Sequence, residues 1–139
     1  MGLIYAEIEL INGNDLALVL SKVIEPGKVK RIKVNALVDT GSYMLAINDN
    51  IQAQLQLPVV EKRKAKLAND NLVECDVVAP VEVRFKNRQT TCRAIVLPGD
   101  TEPLLGAIPL DDMDVLIDPL RRQLIVNPDH PYFAVMTMK

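Results

Sequence analysis

Apolar and polar residues alternate along several short segments of this chain, and the alternation limits its fold more than any other sequence feature. In the segment 31–38, Ile32, Val34 and Ala36 are apolar, and the residues between them are polar or charged. A period of two places alternate side chains on opposite faces of a strand. The segment is therefore predicted to be a half-buried strand, and it runs directly into Asp39.

Similar β-type segments recur along the chain and are separated by turn residues. The further predicted strands are 3–11, 44–47, 62–68, 72–78, 81–85, 91–97, 115–117 and 123–126. Short helices are predicted about Leu110 and after residues 48–49, where Asn48 or Asp49 would be the cap, and the segment 16–24 fits either a strand or a short helix. Many short strands with few helices favour an all-β barrel or sandwich.

The composition and charge narrow the range of partners. The chain has 139 residues, the size of one ordinary domain, and a formal net charge of −2. Its basic and acidic residues are mixed, which gives no electrostatic reason to expect a nucleic acid or an anionic membrane. The amino-terminal residues lack the pattern of a signal peptide, and no segment is long enough to cross a bilayer. We therefore expect a cytoplasmic protein with no nucleic-acid or membrane partner.

The two cysteines, Cys75 and Cys92, are predicted to be free thiols. If residues 85–92 turn at 86–88, Cys92 lies opposite Glu82, too far from Cys75 for a disulfide. Two thiols and one histidine do not make a zinc site within one chain, so no metal or other cofactor is expected. The one histidine, His130, is predicted to be an exposed residue near the end of the chain.

Asp39 is the residue whose position most suggests chemistry. It follows an apolar run at the end of a predicted core strand and is followed by Thr40, Gly41 and Ser42. A carboxylate there is costly unless it is hydrogen-bonded or used. In the structural interpretation, the aspartate accepts hydrogen bonds from the backbone amides of a turn. In the functional interpretation, Asp39 is one of two carboxylates that share one proton and hydrolyse a peptide bond through an activated water.

The run Leu37–Ser42 and the later Leu104-Leu105-Gly106, followed by a short helix, resemble the retropepsin-like (retroviral-type) aspartic proteases. The single-domain bacterial members of that family are the most similar. The resemblance covers residues 3–127 and implies an all-β fold of the acid-protease type, a closed β-barrel with one or two short helices. It assigns no role to the C-terminal tail, residues 128–139.

The resemblance also implies roles for individual residues. Asp39 would be the catalytic residue, and Thr40, Gly41 and Ser42 would support its loop. A second, matching loop would be formed by Leu104, Leu105 and Gly106. The flap, the hairpin that closes over the substrate, would lie at Ala68, Asn69, Asp70, Asn71 and Leu72.

The chain has a single Asp-Thr-Gly, so a second carboxylate must come from another copy of the chain. The resemblance therefore implies a homodimeric aspartic endopeptidase that cleaves peptides or unfolded protein segments by a water held between two Asp39 carboxylates. The alternative is a catalytically weak dimerisation or peptide-binding module with the same fold. The basic run Lys62-Arg63-Lys64, with Lys66, is expected to be the solvated face of a strand, and substrate steering is the other interpretation.

Overall fold

The computed structural model describes residues 2–139, which form nine strands and three short α-helices. The strands are β1 (Tyr5–Asn12), β2 (Arg31–Val38), β3 (Leu45–Asn48), β4 (Val59–Lys66), β5 (Leu72–Phe85), β6 (Arg88–Leu97), β7 (Leu104–Leu105), β8 (Val115–Asp118) and β9 (Gln123–Val126). The α-helices are α1 (Gly13–Leu20), α2 (Asp49–Leu55) and α3 (Ala107–Met113), and a 3₁₀ helix spans Pro26–Lys28. Among residues 2–139, no helix has the length and apolarity that a membrane span requires.

Seven strands form one sheet in the order β1-β2-β7-β3-β6-β5-β4, and β1 also pairs with β5. That additional pairing joins the sheet to itself, so that β1, β2, β7, β3, β6 and β5 form a ring with β4 attached to β5. Strands β8 and β9 form a separate two-stranded sheet, the predicted final hairpin. The predicted all-β fold is confirmed, with three short α-helices where one or two were expected.

The helix beyond the expected one or two is α1. It overlaps the segment 16–24, whose sequence fitted either a strand or a short helix. Its cap is Asn12, whose side chain accepts a hydrogen bond from the Asp15 amide at 3.1 Å. The Asn12 side chain also donates to the Leu55 carbonyl at 2.8 Å and so links α1 to the end of α2. Helix α2 begins after Asn48, which accepts from the Ile51 amide at 2.8 Å, as the sequence predicted.

The hydrophobic residues form two clusters. The larger one includes Leu10, Val83 and Leu105, all of them fully buried. The smaller one lies between the β4–β5 hairpin and strands β3, β6 and β7, and Ala46 and Leu97 belong to it. The smaller cluster matters for function, because it is the part of the interior that borders the site described below.

The β5–β6 hairpin differs from the prediction by one residue. Phe85 lies opposite Arg88, so the turn has two residues, and Lys86 takes a left-handed backbone with φ of 51°. Two-residue hairpin turns require such a conformation. Cys92 therefore lies opposite Val81 and not opposite Glu82. Both cysteines are free, as predicted, and burial raises the pKa of the Cys92 thiol to about 12.

The tail folds back onto the body of the protein at Asp114, the residue that follows α3. The Asp114 carboxylate accepts from the Asn127 side chain at 3.0 Å and from the Val135 amide at 2.9 Å, and it lies 2.7 Å from Nδ1 of His130. The prediction that His130 is an exposed residue was wrong, since only 32% of its side chain is accessible. The buried Arg88 adds to this attachment by donating to the carbonyl of His130.

The hydrogen bonds at Asp114 should contribute less to stability at low pH. Hydrogen bonds from Val135, Asn127 and His130 lower the pKa of Asp114 from 3.8 to about 2. Because this pKa is lower in the folded than in the unfolded state, the stabilisation is complete above about pH 4 and is lost as the pH falls to about 2. We expect the free energy of unfolding of Asp114→Asn, measured by urea denaturation, to change less over this range than that of the wild type.

Asn suits position 114 because it tolerates the left-handed backbone there, where φ is 56°. Asp129→Asn, which removes an exposed carboxylate from the same tail, is the matched control and should follow the wild type. Equal pH dependence in Asp114→Asn and the wild type would contradict a stabilising role for these hydrogen bonds.

Candidate active site

The loop that follows β2 holds the carboxylate of Asp39 by hydrogen bonds from its own residues. The Gly41 amide donates to Oδ1 at 3.0 Å, and the Ser42 hydroxyl donates to Oδ2 at 3.0 Å. The Asp39 amide donates to the carbonyl of Leu105 at 3.0 Å, which ties the loop to β7. Each carboxylate oxygen thus has one donor, and these bonds fix the orientation of a half-buried acid at the end of a strand.

The second predicted loop lies directly against the first. Strand β7 runs parallel to β2, with Leu37 opposite Leu104, and antiparallel to β3. Beyond β7, the Ala107 amide donates to the Ser42 carbonyl at 2.8 Å. The structure therefore places Leu104, Leu105 and Gly106 between the two strands that flank the Asp39 loop.

The close contact between residue 106 and the Asp39 loop leaves no room for a side chain, so glycine is required there. A Cβ atom at residue 106 would lie 2.4 Å from the carbonyl oxygen of Met44 and 2.7 Å from that of Ser42. Both atoms belong to the backbone of the Asp39 loop and cannot rotate away. Glycine therefore allows the start of α3 to pack against the loop, which accounts for the glycine of the Leu-Leu-Gly motif.

A groove of about 320 Å³ extends from the Asp39 loop to β4. Gly41 and Ser42 of the Asp39 loop and residues 63–67 of the β4–β5 hairpin all line the groove. Its apolar lining includes Ala46, Ile95, Leu97 and Leu104, all from the smaller hydrophobic cluster. The groove is concave and partly apolar, as ligand-binding sites commonly are.

A model of the gag-polyprotein putative aspartyl protease family matches residues 26–111, which include both the Asp39 loop and Leu104-Leu105-Gly106. The chain belongs to this family. Membership confirms the retropepsin-like resemblance on which the sequence analysis relied, and it supports an aspartic protease type of function. No curated protein gives a significant match to the chain.

The hairpin predicted as the flap of this aspartyl protease family member is formed by β4 and β5. It turns at Asp70, where φ is 65°, and the Leu67 amide donates to the Asn71 carbonyl at 2.9 Å. The residues of the predicted flap tip are all exposed and lie outside the groove lining: Ala68, Asn69, Asp70, Asn71 and Leu72. Only the stem of the hairpin borders the groove.

Thr40 of the Asp39 loop lies outside the groove lining. It is exposed, and with Asp39 it lines a second depression of about 460 Å³ to which Leu3 and Pro119 also contribute. The lining of this depression is largely apolar, and its Leu3 is 68% exposed; Leu120, which follows Pro119 in the sequence, is 94% exposed. Within residues 2–139, Asp39 is the only carboxylate that lines either depression.

Several residues that line the groove were not predicted from the sequence. Tyr43 and Met44 follow the Asp-Thr-Gly-Ser run directly, and Tyr43 is 67% exposed. Their position immediately after the motif was the available signal. Residues 63–67 were harder to predict as groove lining, because their basic run suggested the solvated face of a strand. The groove forms only when β4 and β6 come together in the fold.

Proposed function

We propose that this chain is an aspartic endopeptidase that acts as a homodimer, in which the Asp39 carboxylates of two copies activate one water. The observation that carries the proposal is the Asp39 loop itself, where Gly41 and Ser42 each donate to one carboxylate oxygen. That arrangement orients a half-buried carboxylate that lines the depression beside Thr40, while Gly41 and Ser42 of the same loop line the groove. Membership of the aspartyl protease family supports the same chemistry.

The proposed reaction needs both carboxylates in different protonation states. Two carboxylates a few ångströms apart share one proton, so one is a base while the other is an acid. The ionised Asp39 takes a proton from water as the water attacks the scissile carbonyl, and the protonated Asp39 donates its proton to the carbonyl oxygen. The Asp39 that took the proton from water then donates it to the leaving nitrogen, and the other Asp39 takes a proton from a hydroxyl of the resulting diol, so that the C–N bond breaks and the pair again holds one proton. The Gly41 and Ser42 donors keep each carboxylate in place during these transfers.

The surface around Thr40 supports a two-fold symmetric dimer. One chain supplies one carboxylate, and Thr40 is exposed beside it. The depression has a largely apolar lining, in which Leu3 is strongly exposed, and the exposed Leu120 follows Pro119 of that lining in the sequence. An exposed apolar depression of this kind fits an interaction site. We place the dimer axis here, where a second copy would bring its Asp39 to the first and would cover these side chains.

We further propose that residues 3–127 form the protease domain and that residues 68–72 act as its flap. The flap tip is exposed and turns through the left-handed Asp70, and its stem already forms one wall of the groove. A peptide that fills the groove would lie under this hairpin, so the tip can contact it and exclude water. Residues 128–139 lie outside the proposed domain and are attached through Asp114.

Digestion of a peptide library by the purified chain tests the proposed function. The assay should cover acidic to neutral pH and a dilution series, with the dimer fraction measured by light scattering. We expect cleavage near apolar residues, with an activity per chain that rises with the dimer fraction. A dimer that binds peptides but cleaves none at any pH would contradict the proposal and favour the peptide-binding alternative.

A further inference from the structure

The groove beside the Asp39 loop is basic, although the chain as a whole is not. The formal net charge of the chain is −2. The groove lining nevertheless includes Arg63, Lys64 and Lys66 and, within residues 2–139, no Asp or Glu. An excess of one sign of charge in a concave, partly apolar site attracts ligands of the opposite sign.

Arg63 is the basic residue best placed to meet a ligand. Arg63 and Ala65 on β4, and Leu67 just after it, are two residues apart and so share one face of the strand. Ala65 and Leu67 pack in the smaller hydrophobic cluster, and all three residues line the groove. Lys64, in contrast, has Glu74 as its neighbour in register on β5, and Lys66 forms an ion pair with Asp70 at 3.6 Å. The side chain of Arg63 therefore shares the face of β4 that borders the groove.

Arg93 joins Arg63 through a shared carboxylate. On β6, Arg93 shares a face of the strand with Ile95 and Leu97, two residues of the groove lining. Glu61 binds Nε of Arg63 with one oxygen and Nη1 of Arg93 with the other. The hydrogen bond from Arg63 and the charges of both arginines lower the pKa of Glu61, so it stays ionised. Two guanidinium groups thus share one carboxylate and retain one net positive charge.

The two guanidinium groups also retain free donors. Each has five N–H groups, of which Glu61 occupies one on each side chain. The side chains of Arg63 and Arg93 are 45% and 54% exposed, so their other donors are accessible to solvent, and those of Arg63 belong to the groove lining. A carboxylate fits such a planar fork through paired hydrogen bonds.

We propose that the groove selects peptides in which an acidic residue lies close to an apolar one, with Arg63 and Arg93 binding the acid. The apolar side chain would occupy the lining next to β3 and β6, and the acidic side chain would reach the arginines at the edge. The inference rests on the proposed function, because it names the class of peptide that the same site takes.

Matched peptides test the inference. They share one apolar cleavage segment from the library digest and differ at one flanking position, which is Glu, Gln or Lys. We expect kcat/KM to be about tenfold higher for the Glu peptide than for the Gln peptide, the range of a charge-assisted hydrogen bond, and lower still for the Lys peptide. Added salt should reduce the preference, because the arginines are partly exposed.

Arg63→Gln is expected to reduce the preference for Glu over Gln to about threefold or less, and the double variant with Arg93→Gln should remove it. Lys33→Gln, an exposed change on β2 outside the groove, is the matched control and should keep the wild-type preference. Circular dichroism of each variant confirms that it is folded. Cleavage of all three peptides at equal rates would overturn the inference and leave the proposed function standing.

If the dimer cleaves none of the peptides, the proposed function fails and binding alone decides the inference. Fluorescence anisotropy of the same labelled peptides with the wild-type chain gives that readout. Tighter binding of the Glu peptide, lost in the Arg63→Gln Arg93→Gln variant, would support an acid-selective groove. Equal affinities for the Glu and Lys peptides, or no binding of either, would overturn it.

Discussion

Asp39→Asn is expected to abolish peptide cleavage and to leave the chain folded and dimeric. The amide cannot take a proton from water or return one, and in a homodimer the substitution removes both members of the catalytic pair. We expect kcat/KM to fall by at least about 10³-fold. Folding should persist, because the oxygen of the new side-chain amide still accepts one of the two hydrogen bonds that Gly41 and Ser42 donate in the wild type. The measurements are kcat/KM for a cleaved library peptide, circular dichroism and light scattering.

Two further measurements separate the role of Asp39 from a general effect of lost charge. Asp100→Asn, an exposed change in the connection before β7, should keep wild-type activity. Excess Asp39→Asn chain, mixed with the wild type and allowed to exchange, should lower activity well below the value set by dilution, since a mixed dimer has only one carboxylate. An Asp39→Asn dimer with activity within twofold of the wild type would refute the proposed mechanism.

The Asp39 site was predictable from the sequence because its causes are local. The period-two pattern of β2 leads directly into Asp39, and both donors to its carboxylate lie within three residues, at Gly41 and Ser42. The cap of α2 by Asn48 was predictable for the same reason. Strand β7 has only two residues, too few to show a period, so only the family resemblance indicated Leu104-Leu105-Gly106.

The groove was not predictable, because its walls come from distant parts of the chain. Arg63 on β4 and Arg93 on β6 share Glu61 only because the β4–β5 hairpin lies over β3 and β6. The sequence shows a basic run at 62–66, but not the face that each side chain takes. The attachment of the tail at Asp114 was not predictable for a similar reason. Asp114 and His130 are 16 residues apart and belong to no recognisable sequence motif.

Gly106→Ala is expected to destabilise the protein and to disturb the active-site loop together. The new Cβ would lie 2.4 Å from the Met44 carbonyl oxygen and 2.7 Å from that of Ser42, so the Asp39 loop or α3 must move. Overpacking against fixed backbone costs about 1–3 kcal/mol, and we expect the free energy of unfolding to fall by about 2–3 kcal/mol. The measurement is urea denaturation at neutral pH, with kcat/KM for a cleaved peptide alongside it.

The expected loss at position 106 is a steric effect and not a cost of backbone conformation. Gly106 has φ of −93° and ψ of −173°, extended values that any residue adopts. Gly27→Ala is therefore a matched control: its Cβ would meet no atom within 4 Å, and the free energy of unfolding should change by less than about 0.5 kcal/mol. If Gly106→Ala were as stable and active as Gly27→Ala, the packing of Gly106 against the Asp39 loop would not be what holds that loop. If it loses activity beyond what its lost stability explains, the second loop positions the catalytic carboxylate.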